Sequence, residues 1–509
     1  MALMIEIDGN SLALESVLRV AMNFEEVRIS PRALPVIEKS RRVVESALAS
    51  GKGVYGVNTG FGSLLNVRID EKEAVALQEN LIRSHSAGIG DPLSEEFVRA
   101  IMLVRANSLI RGFSGVRREL IDKIVESLNK RFYPYVPEYG SVGASGDLAP
   151  LAHIALALMG EGYCISDVGK AKSAEELAKN RMAPLRLKEK EGVSFINGTS
   201  AIAGILSVEI GKSYNILENA LTSASISMEA LRGTILAFDP VAVAARKQKG
   251  QSTVASIIRK LLEGSRNIEK SSLEKVQDAY SLRCIPQVYG AVLDTLNYAA
   301  GVLTDEINST TDNPLVCNDR IISTGNFHGE PVAFIADFLA IALTDLGNMI
   351  ERRIARLTDS SLSGLPAFLT RNSGLNSGLM IVQYAAAALC NVNKVLAHPA
   401  SSDSIPTSAN QEDHVSMGMN SALKLSKVVE NLERIVAMEY LVANQGLYFI
   451  DQKVSPFVNS ITSELRNVVS EFKTDRSPNP DVENIINLMR SPEFRNKLKN
   501  WGSYLVPWL

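Results

Sequence analysis

The sequence predicts a mainly α-helical protein with little β-structure. Apolar and small residues recur at helical spacing over residues 201–233, 337–359 and 421–449. Strand signals are few and short. They fall at residues 4–8, 164–167 and 184–187. Because alanine and other small residues let helices approach closely, the long stretches predict a long-helix bundle core.

The pattern of predicted helices and loops changes near residue 195. Before it, Gly- and Pro-bearing loops such as residues 53–63 and 132–150 separate shorter helical patterns such as residues 95–112. After it, long helical stretches dominate. We therefore predict a mixed, mostly helical N-terminal domain over residues 1–195. Residues 196–509 are predicted to form a central helical bundle with a C-terminal helical region.

Composition and charge exclude several classes of protein. The 53 basic and 56 acidic residues give a net charge of −3, which leaves no electrostatic footprint for nucleic acid or an anionic membrane. The N-terminus has no basic segment and reaches Glu6 and Asp8 early, so it does not resemble a secretory signal. The four cysteines form no CxxC pair, which fits reduced thiols. We predict a soluble cytoplasmic protein.

One apolar run, residues 378–397, is long enough to be considered as a membrane span. It contains Gln383, Asn391, Asn393 and Lys394, which a spanning helix would have to bury. The run therefore predicts a packed core helix.

Polar loops between the long helices predict a site. They cover residues 277–287, 309–316, 323–332 and 403–418. Helix capping explains one Asn, Ser or Asp at a helix end, but not clusters such as NQEDH or YSLR. Binding groups are commonly carried by loops on a rigid scaffold.

Metal and nucleotide sites are not predicted. The histidines are residues 85, 153, 328, 398 and 414, and they include neither HExxH nor a paired metal spacing. His398 and His414 flank a carboxylate cluster, but that spacing does not require a metal. The glycine-rich segment GVNTGFGS lacks the GK[ST] ending of a phosphate loop.

The segment GSVGASGDLAP, residues 140–150, raises the question of what Ser145 does. A nucleophile elbow needs glycine where Asp147 stands. A flexible turn is one alternative. The other is a ring closed by attack of the Gly146 nitrogen on the Ala144 carbonyl carbon, with loss of water and of the Ser145 hydroxyl. The product would carry an electrophilic exocyclic methylene, and the spacing alone leaves both alternatives open.

Residues 140–153 resemble the prosthetic-group motif of the aromatic amino-acid lyase family, ammonia-lyases that act on histidine, phenylalanine or tyrosine. Six further segments resemble that family in the same order. They are residues 55–62, 191–200, 277–284, 311–315, 325–333 and 410–418. The resemblance implies a 4-methylideneimidazol-5-one (MIO) group made from Ala144, Ser145 and Gly146. It also implies a homotetramer with active sites shared between subunits and, by analogy, a fumarase/aspartase-like helical core.

Within the family, the Ser84-His85 pair and the segment from Gln411 to His414 resemble the histidine branch. An imidazole substrate has two ring nitrogens that need hydrogen-bond partners, and His85 and Glu412 can supply them. A phenyl ring would leave both residues without a partner. The implied reaction converts L-histidine to trans-urocanate, the first step of histidine degradation. The alternatives are a phenylalanine or tyrosine ammonia-lyase or an aminomutase. A non-enzymatic helical scaffold is disfavoured because Ala-Ser-Gly is intact.

The resemblance also implies roles for the polar residues. Tyr280 is the candidate base, Tyr55 a second tyrosine near the leaving amine, and Arg283 the group that holds the substrate carboxylate. Whether the electrophile captures the substrate's amine or its aromatic ring stays open, as does the choice of base.

The remaining implied roles concern positioning. Asn197 and Asn313 would hydrogen-bond the MIO oxygen and the substrate carboxylate. Gln277 and Gln411 would lie nearby, and Phe327 would form a wall of the pocket. Glu412 would bind the imidazole or assist proton transfer.

Overall fold

A computed structural model of the chain describes residues 4–49, 73–166, 169–502 and 505–506. These residues form two compact units. Unit 1 comprises the described residues of Met1–Gly211, Ala299–Asp337 and Pro399–Lys424. Unit 2 comprises those of Lys212–Tyr298, Phe338–His398 and Leu425–Leu509. Each unit thus draws on three stretches of chain, whereas the predicted division after residue 195 is a linear one and stays a prediction.

Helices account for most of both units. The first are α1 (Leu14–Asn23), α2 (Leu34–Ala49), α3 (Ala74–His85), α4 (Glu95–Ile110), α5 (Arg118–Asn129), α6 (Leu148–Leu158), α7 (Ser173–Lys179) and α8 (Glu191–Ile196). Next come α9 (Ser200–Ala230), α10 (Pro240–Ala244), α11 (Lys249–Leu261), α12 (Arg266–Glu274), α13 (Tyr280–Arg283) and α14 (Ile285–Ile307). The last are α15 (Glu330–Thr358), α16 (Ser360–Ser363), α17 (Met380–Leu396), α18 (Gly418–Leu447), α19 (Pro456–Val468), α20 (Asn479–Arg490) and α21 (Pro492–Trp501). The predicted mainly α fold with long helices is confirmed.

The strands of the described chain are short, and all of them belong to unit 1. They are β1 (Ile5–Ile7), β2 (Val27–Ile29), β3 (Ile89–Pro92), β4 (Tyr133–Pro134), β5 (Pro137–Tyr139), β6 (Tyr163–Ser166), β7 (Gly169–Lys172), β8 (Leu315–Cys317) and β9 (Arg320–Ile322). β1 and β2 pair in parallel, with Ile5 opposite Val27. The other pairings, β3 with β5, β6 with both β4 and β7, and β8 with β9, are antiparallel.

Two of the three predicted strands form and the third does not. β1 and β6 lie at the predicted positions, but residues 184–187 are irregular. There the Leu185 N–H donates to Leu158 O at the end of α6. A helix carbonyl is not a strand partner, so apolar residues alternate here without a ladder.

The small residues of α9 explain how this helix can be buried almost all round. Only Lys212 escapes full burial between Ser200 and Ala230. Buried hydroxyls find acceptors within the helix: Ser207 Oγ donates to Ala203 O at 2.7 Å and Thr222 Oγ1 to Glu218 O at 3.0 Å. These hydroxyls therefore occupy core positions with their hydrogen-bonding capacity met by the helix backbone.

Helices α15 and α17 differ in how much of their apolar surface is buried. α15 is the single helix of the described chain long and apolar enough to span a membrane, but 67% of its most apolar window is buried inside the protein, as in a core helix. For α17 the helix prediction is confirmed, but the prediction of a packed core helix is wrong within this chain. Only Val382, Ala386 and Asn393 are buried there, whereas Ile381 and Val395 are 60% and 71% exposed.

Candidate active site

The segment around Ser145 has a backbone that favours glycine at two positions. Gly143 and Gly146 have φ of +65° and +74°, in the left-handed region. Gly146 also forms a parallel bridge with Gly198, with the Gly198 N–H donating to Ser145 O at 3.3 Å and the Asp147 N–H to Gly198 O at 2.6 Å. A Cβ on Gly146 would lie 2.2 Å from Gly198 O. The segment is thus a tight turn pressed against the backbone next to Asn197.

Asp147 ties this turn to the first turn of α9. Its Oδ2 accepts from the backbone N–H groups of Ala201 at 2.8 Å and Ile202 at 2.9 Å, and its Oδ1 accepts from Ser141 Oγ at 3.2 Å. Burial raises the pKa of Asp147 to about 7, although these hydrogen bonds oppose the rise. The residue that breaks the nucleophile-elbow pattern therefore has a positioning role as a cap.

The loop from residue 403 to 418 packs on the same turn. Ala144 lies in an apolar cluster with Val415 and Met417. The Met417 N–H donates to Val142 O at 2.9 Å, and Ser416 Oγ donates to Gly143 O at 3.2 Å. This contact joins the predicted polar loop of residues 403–418 to the segment that carries Ser145.

Glu412 points at Ser145. The Ser145 Oγ of the uncyclised chain donates to Glu412 Oε1 at 2.9 Å, and Thr407 Oγ1 donates to Glu412 Oε2 at 2.6 Å. Thr407 and Glu412 also exchange backbone hydrogen bonds in an antiparallel bridge. The carboxylate is therefore held in one orientation beside the position of the predicted electrophile.

His85, the last residue of α3, lies within electrostatic reach of Glu412. Its Nδ1 is 2.9 Å from Leu81 O, and because a carbonyl only accepts, Nδ1 carries the proton. Burial lowers the pKa of His85, with the Glu412 charge acting in the opposite direction. The neutral ring that results presents Nε2 as an acceptor.

Asn197 and Asn313 are both buried but differ in their hydrogen bonding. Asn313 Oδ1 accepts from the Thr324 N–H at 2.7 Å and from Ser323 Oγ at 3.2 Å. Asn197, directly after α8, is 4% exposed, and its Oδ1 has no hydrogen-bond partner in the described part of the chain. This amide oxygen, unpaired within the described residues and next to the glycine turn, is available to a bound group.

A buried charge cluster, which sequence reasoning missed, supports Asn313. Lys190 is fully buried, with Nζ 2.6 Å from Ser194 Oγ and 3.5 Å from Asp312 Oδ2. Asp312 Oδ1 accepts from the Asn313 N–H at 2.6 Å. Burial lowers the pKa of Lys190, and it lowers that of the nearby Arg105 to about 10. The sequence did contain a signal for this cluster. Lys190 stands directly before the segment of residues 191–200, and Asp312 lies within the TDNPL motif.

Three predicted residues belong to unit 2 rather than unit 1. Tyr280 and Arg283 are the first and last residues of α13, and the Arg283 guanidinium carbon lies 4.5 Å from the Tyr280 ring centroid. Tyr280 is 71% exposed, Gln277 is exposed, and Arg283 Nε is buried without a hydrogen-bond partner among the described residues. This pair has the chemistry to bind a carboxylate.

Of the other predicted residues, Phe327 is half-buried and Gln411 is exposed. Tyr55 lies outside the described residues. The structure thus brings Ser145 and Glu412 into contact, with His85 within electrostatic reach of Glu412.

Comparison with known proteins places this geometry in context. The family model of the aromatic amino acid lyases matches residues 12–471. A probable histidine ammonia-lyase of Thermoplasma volcanium is 55% identical over 97% of this chain and 100% of its own length.

Solved structures agree. The histidine ammonia-lyase of Trypanosoma cruzi is 40% identical with a TM-score of 0.91, over 98% of this chain and 96% of the other. Tyrosine aminomutase from Streptomyces globisporus is 36% identical with a TM-score of 0.93, over 98% and 99% of the two chains. The fold and the site thus lie in a scaffold that different reactions share.

Proposed function

The chain belongs to the aromatic amino acid lyase family, and we propose that it eliminates ammonia from L-histidine without oxidation, giving trans-urocanate. The observation that carries this proposal is the 2.9 Å contact between Glu412 Oε1 and Ser145 Oγ. A carboxylate held beside the electrophile position can accept an imidazole N–H, and the neutral His85 adds an acceptor nearby. A phenyl substrate would leave both groups unpaired. The reaction is the first step of histidine degradation.

The relatives support histidine over tyrosine as the substrate. The relative at 55% identity and the structure at 40% are named for histidine, whereas the tyrosine aminomutase is 36% identical. Likeness of fold alone would not separate these activities, because the aminomutase has the higher TM-score of the two structures.

We propose that Ala144, Ser145 and Gly146 form the MIO group. The site fits it in two respects. Gly146 has the positive φ and the missing Cβ that let its nitrogen approach the Ala144 carbonyl carbon, and the buried Asn197 amide oxygen has no partner among the described residues. Ring closure and dehydration remove two waters, one of them carrying the Ser145 hydroxyl oxygen. When present, the group supplies an electrophilic methylene that activates the substrate for loss of ammonia.

The chain's own residues would bind the substrate and move its protons. Arg283 would pair with the substrate carboxylate through two parallel N–H donors, and Asn313 would assist. Tyr280 would remove the β-proton, with Tyr55 as a second tyrosine near the leaving amine. Glu412 would hold the imidazole. Gln277, Gln411 and Phe327 would complete the pocket, and no metal or nucleotide takes part in this scheme.

We also propose a homotetramer with shared sites in the cytoplasm and without nucleic-acid or membrane partners. Large apolar side chains of unit 2 are exposed in the single chain, among them Val276 at 96%, Leu273 at 90% and Val395 at 71%. Oligomeric proteins commonly cover exposed apolar side chains with another subunit. Light scattering should give four times the chain mass. A monomer that is fully active would contradict shared sites.

The substrate proposal is tested by near-ultraviolet absorbance of the purified protein with L-histidine, and in parallel with L-tyrosine and L-phenylalanine. We expect the urocanate band to appear with L-histidine alone. Product from L-tyrosine or L-phenylalanine instead would retain the elimination and overturn the role of His85 and Glu412. No product from any of the three would contradict the proposed activity.

A further inference from the structure

Three side chains of unit 1 that the proposed reaction does not use form a separate cluster. His328 precedes Glu330, the first residue of α15, by two residues, and His414 lies 86 residues further along the chain than His328. One ligand atom of each residue lies within 4.8 Å of the others. We call these residues the His-Glu-His cluster. Its spacing matches no metal motif in the sequence, so it becomes visible only in the fold.

The polar atoms of the cluster are poorly satisfied by one another. His328 Nε2 lies 3.4 Å from His414 Nδ1 and 3.4 Å from His414 O, and the Glu330 N–H lies 3.3 Å from His328 Nδ1. Ordinary N–H···O bonds are about 2.7–3.2 Å long, so these contacts are weak.

The carboxylate of Glu330 adds an independent observation. Its Oε2 is buried and has no hydrogen-bond partner among the described residues, and it lies 3.9 Å from His328 Nδ1. A buried carboxylate oxygen without a donor is costly, and a cation or a donor is needed to compensate it.

The separation of the two imidazole nitrogens fits a shared metal ion. Two nitrogens bound at about 2.0–2.1 Å with tetrahedral geometry lie roughly 3.4 Å apart. His328 Nε2 and His414 Nδ1 have that separation, and one ligand atom of Glu330 lies within 4.8 Å of a ligand nitrogen of each histidine. We propose that the His-Glu-His cluster binds a divalent transition metal of the Zn²⁺ class.

The ligand chemistry sets the class of ion. Two imidazoles with one carboxylate suit zinc and its first-row neighbours, whereas Mg²⁺ and Ca²⁺ prefer oxygen ligands only. His414 is exposed, so a further position would stay open to water. The ion would join the segment before α15 to the loop of residues 403–418, and it would stabilise the folded chain because the unfolded chain lacks the arrangement.

The test is Zn²⁺ titration of the full-length, tag-free protein after dialysis against a chelator, with thiols kept reduced by a phosphine. Calorimetry should give one Zn²⁺ per chain, and Co²⁺ should give the visible absorption of a site with nitrogen and oxygen ligands. His328→Ala and His414→Ala should each weaken binding at least tenfold. Glu330→Gln, which keeps the side-chain volume, should weaken it less. His398→Ala, which removes a histidine outside the cluster, should leave it unchanged.

A thermal readout makes the test independent of catalysis. Added Zn²⁺ should raise the unfolding temperature of the parent protein and of His398→Ala, but not that of His414→Ala. Absence of saturable binding to the parent would overturn the proposal. So would binding that both cluster histidine variants retain, because the ion would then lie at other ligands such as the thiols. Neither result bears on the lyase proposal.

Discussion

Two buried charge clusters, one in each unit, show how the same residue types serve different ends. In unit 2, Arg353 and Glu439 are fully buried and face each other, with Arg353 Nη2 donating to Glu439 Oε2 at 3.0 Å. Ser223 and Ser227 donate to the same carboxylate at 2.6 and 2.8 Å. Although burial opposes charge, the Glu439 carboxylate raises the pKa of Arg353.

The unit 1 cluster behind Asn313 is different. Burial lowers the pKa of Lys190 and of Arg105, and that of Asp147 rises. Its closest ion pair, between Lys190 and Asp312, is 3.5 Å long. The unit 2 cluster is therefore a closed, matched pair that holds helices together. In the unit 1 cluster, burial disfavours the charged forms of side chains beside the turn that carries Ser145. Active sites commonly contain such shifted groups.

The largest effect should come from Ser145→Ala. Loss of the hydroxyl removes the precursor of the electrophile, and activity with L-histidine should fall by at least about 1,000-fold, as when a covalent catalytic group is removed. The side chain is half-buried, so the unfolding midpoint should change little. Initial rates and a denaturant titration measure the two effects. Full activity in the variant would refute the MIO assignment.

Breaking the unit 2 pair should affect stability rather than chemistry. Glu439→Ala leaves Arg353 buried without its partner and should lower the free energy of unfolding by about 3–5 kcal/mol. Glu430→Ala is the matched control on the same helix, since its pair with Arg434 is exposed and worth about 0–1 kcal/mol. Urea denaturation compares the two variants, and equal losses would contradict the distinction between the clusters.

The pH dependence of the free energy of unfolding tests the raised pKa of Asp147. Its pKa is raised from 3.8 to about 7 on folding, so the folded chain binds more protons than the unfolded chain between these values. The contribution of Asp147 is fully present below about pH 4 and is lost as pH rises through 7.

Relative to Asp147→Asn, the parent should therefore lose up to about 4 kcal/mol of stability as the pH rises from about 4 to about 8, with no further change above. Urea denaturation of both proteins across this range measures the difference. A difference that is independent of pH would place the ordinary carboxylate pKa at this position.

The smallest effects should come from the orientation of Glu412. Glu412→Gln should reduce kcat/KM for L-histidine by about 10- to 100-fold with little change in stability, because a charged hydrogen-bond partner of the imidazole is lost. Thr407→Val removes only the 2.6 Å hydrogen bond to Glu412 Oε2 and should cost about 3- to 10-fold. Steady-state kinetics of both variants measure this order. A larger effect of Thr407→Val would assign the loop's shape, rather than the carboxylate, to catalysis.

The sequence by itself determined the local structure, because helical periodicity is a property of neighbouring residues. The stretches at 201–233, 337–359 and 421–449 became α9, α15 and α18 for that reason. The need for glycine at position 146 is local in its φ of +74° and tertiary in its contact, since a Cβ there would collide with Gly198 O. The apolar pattern of α17 predicted a helix correctly, but which of its faces would be buried depends on distant partners.

Only the tertiary structure decided which polar residues meet. Ser145 and Glu412 are 267 residues apart in the chain, and His328 and His414 are 86 apart. No local pattern encodes those distances. The burial that shifts the pKa values of Asp147 and Lys190 likewise exists only once the elements pack around them. The sequence determines which chemical groups are available. Packing determines the geometry and the electrostatic environment in which they act, because both of these depend on atoms far away in the chain.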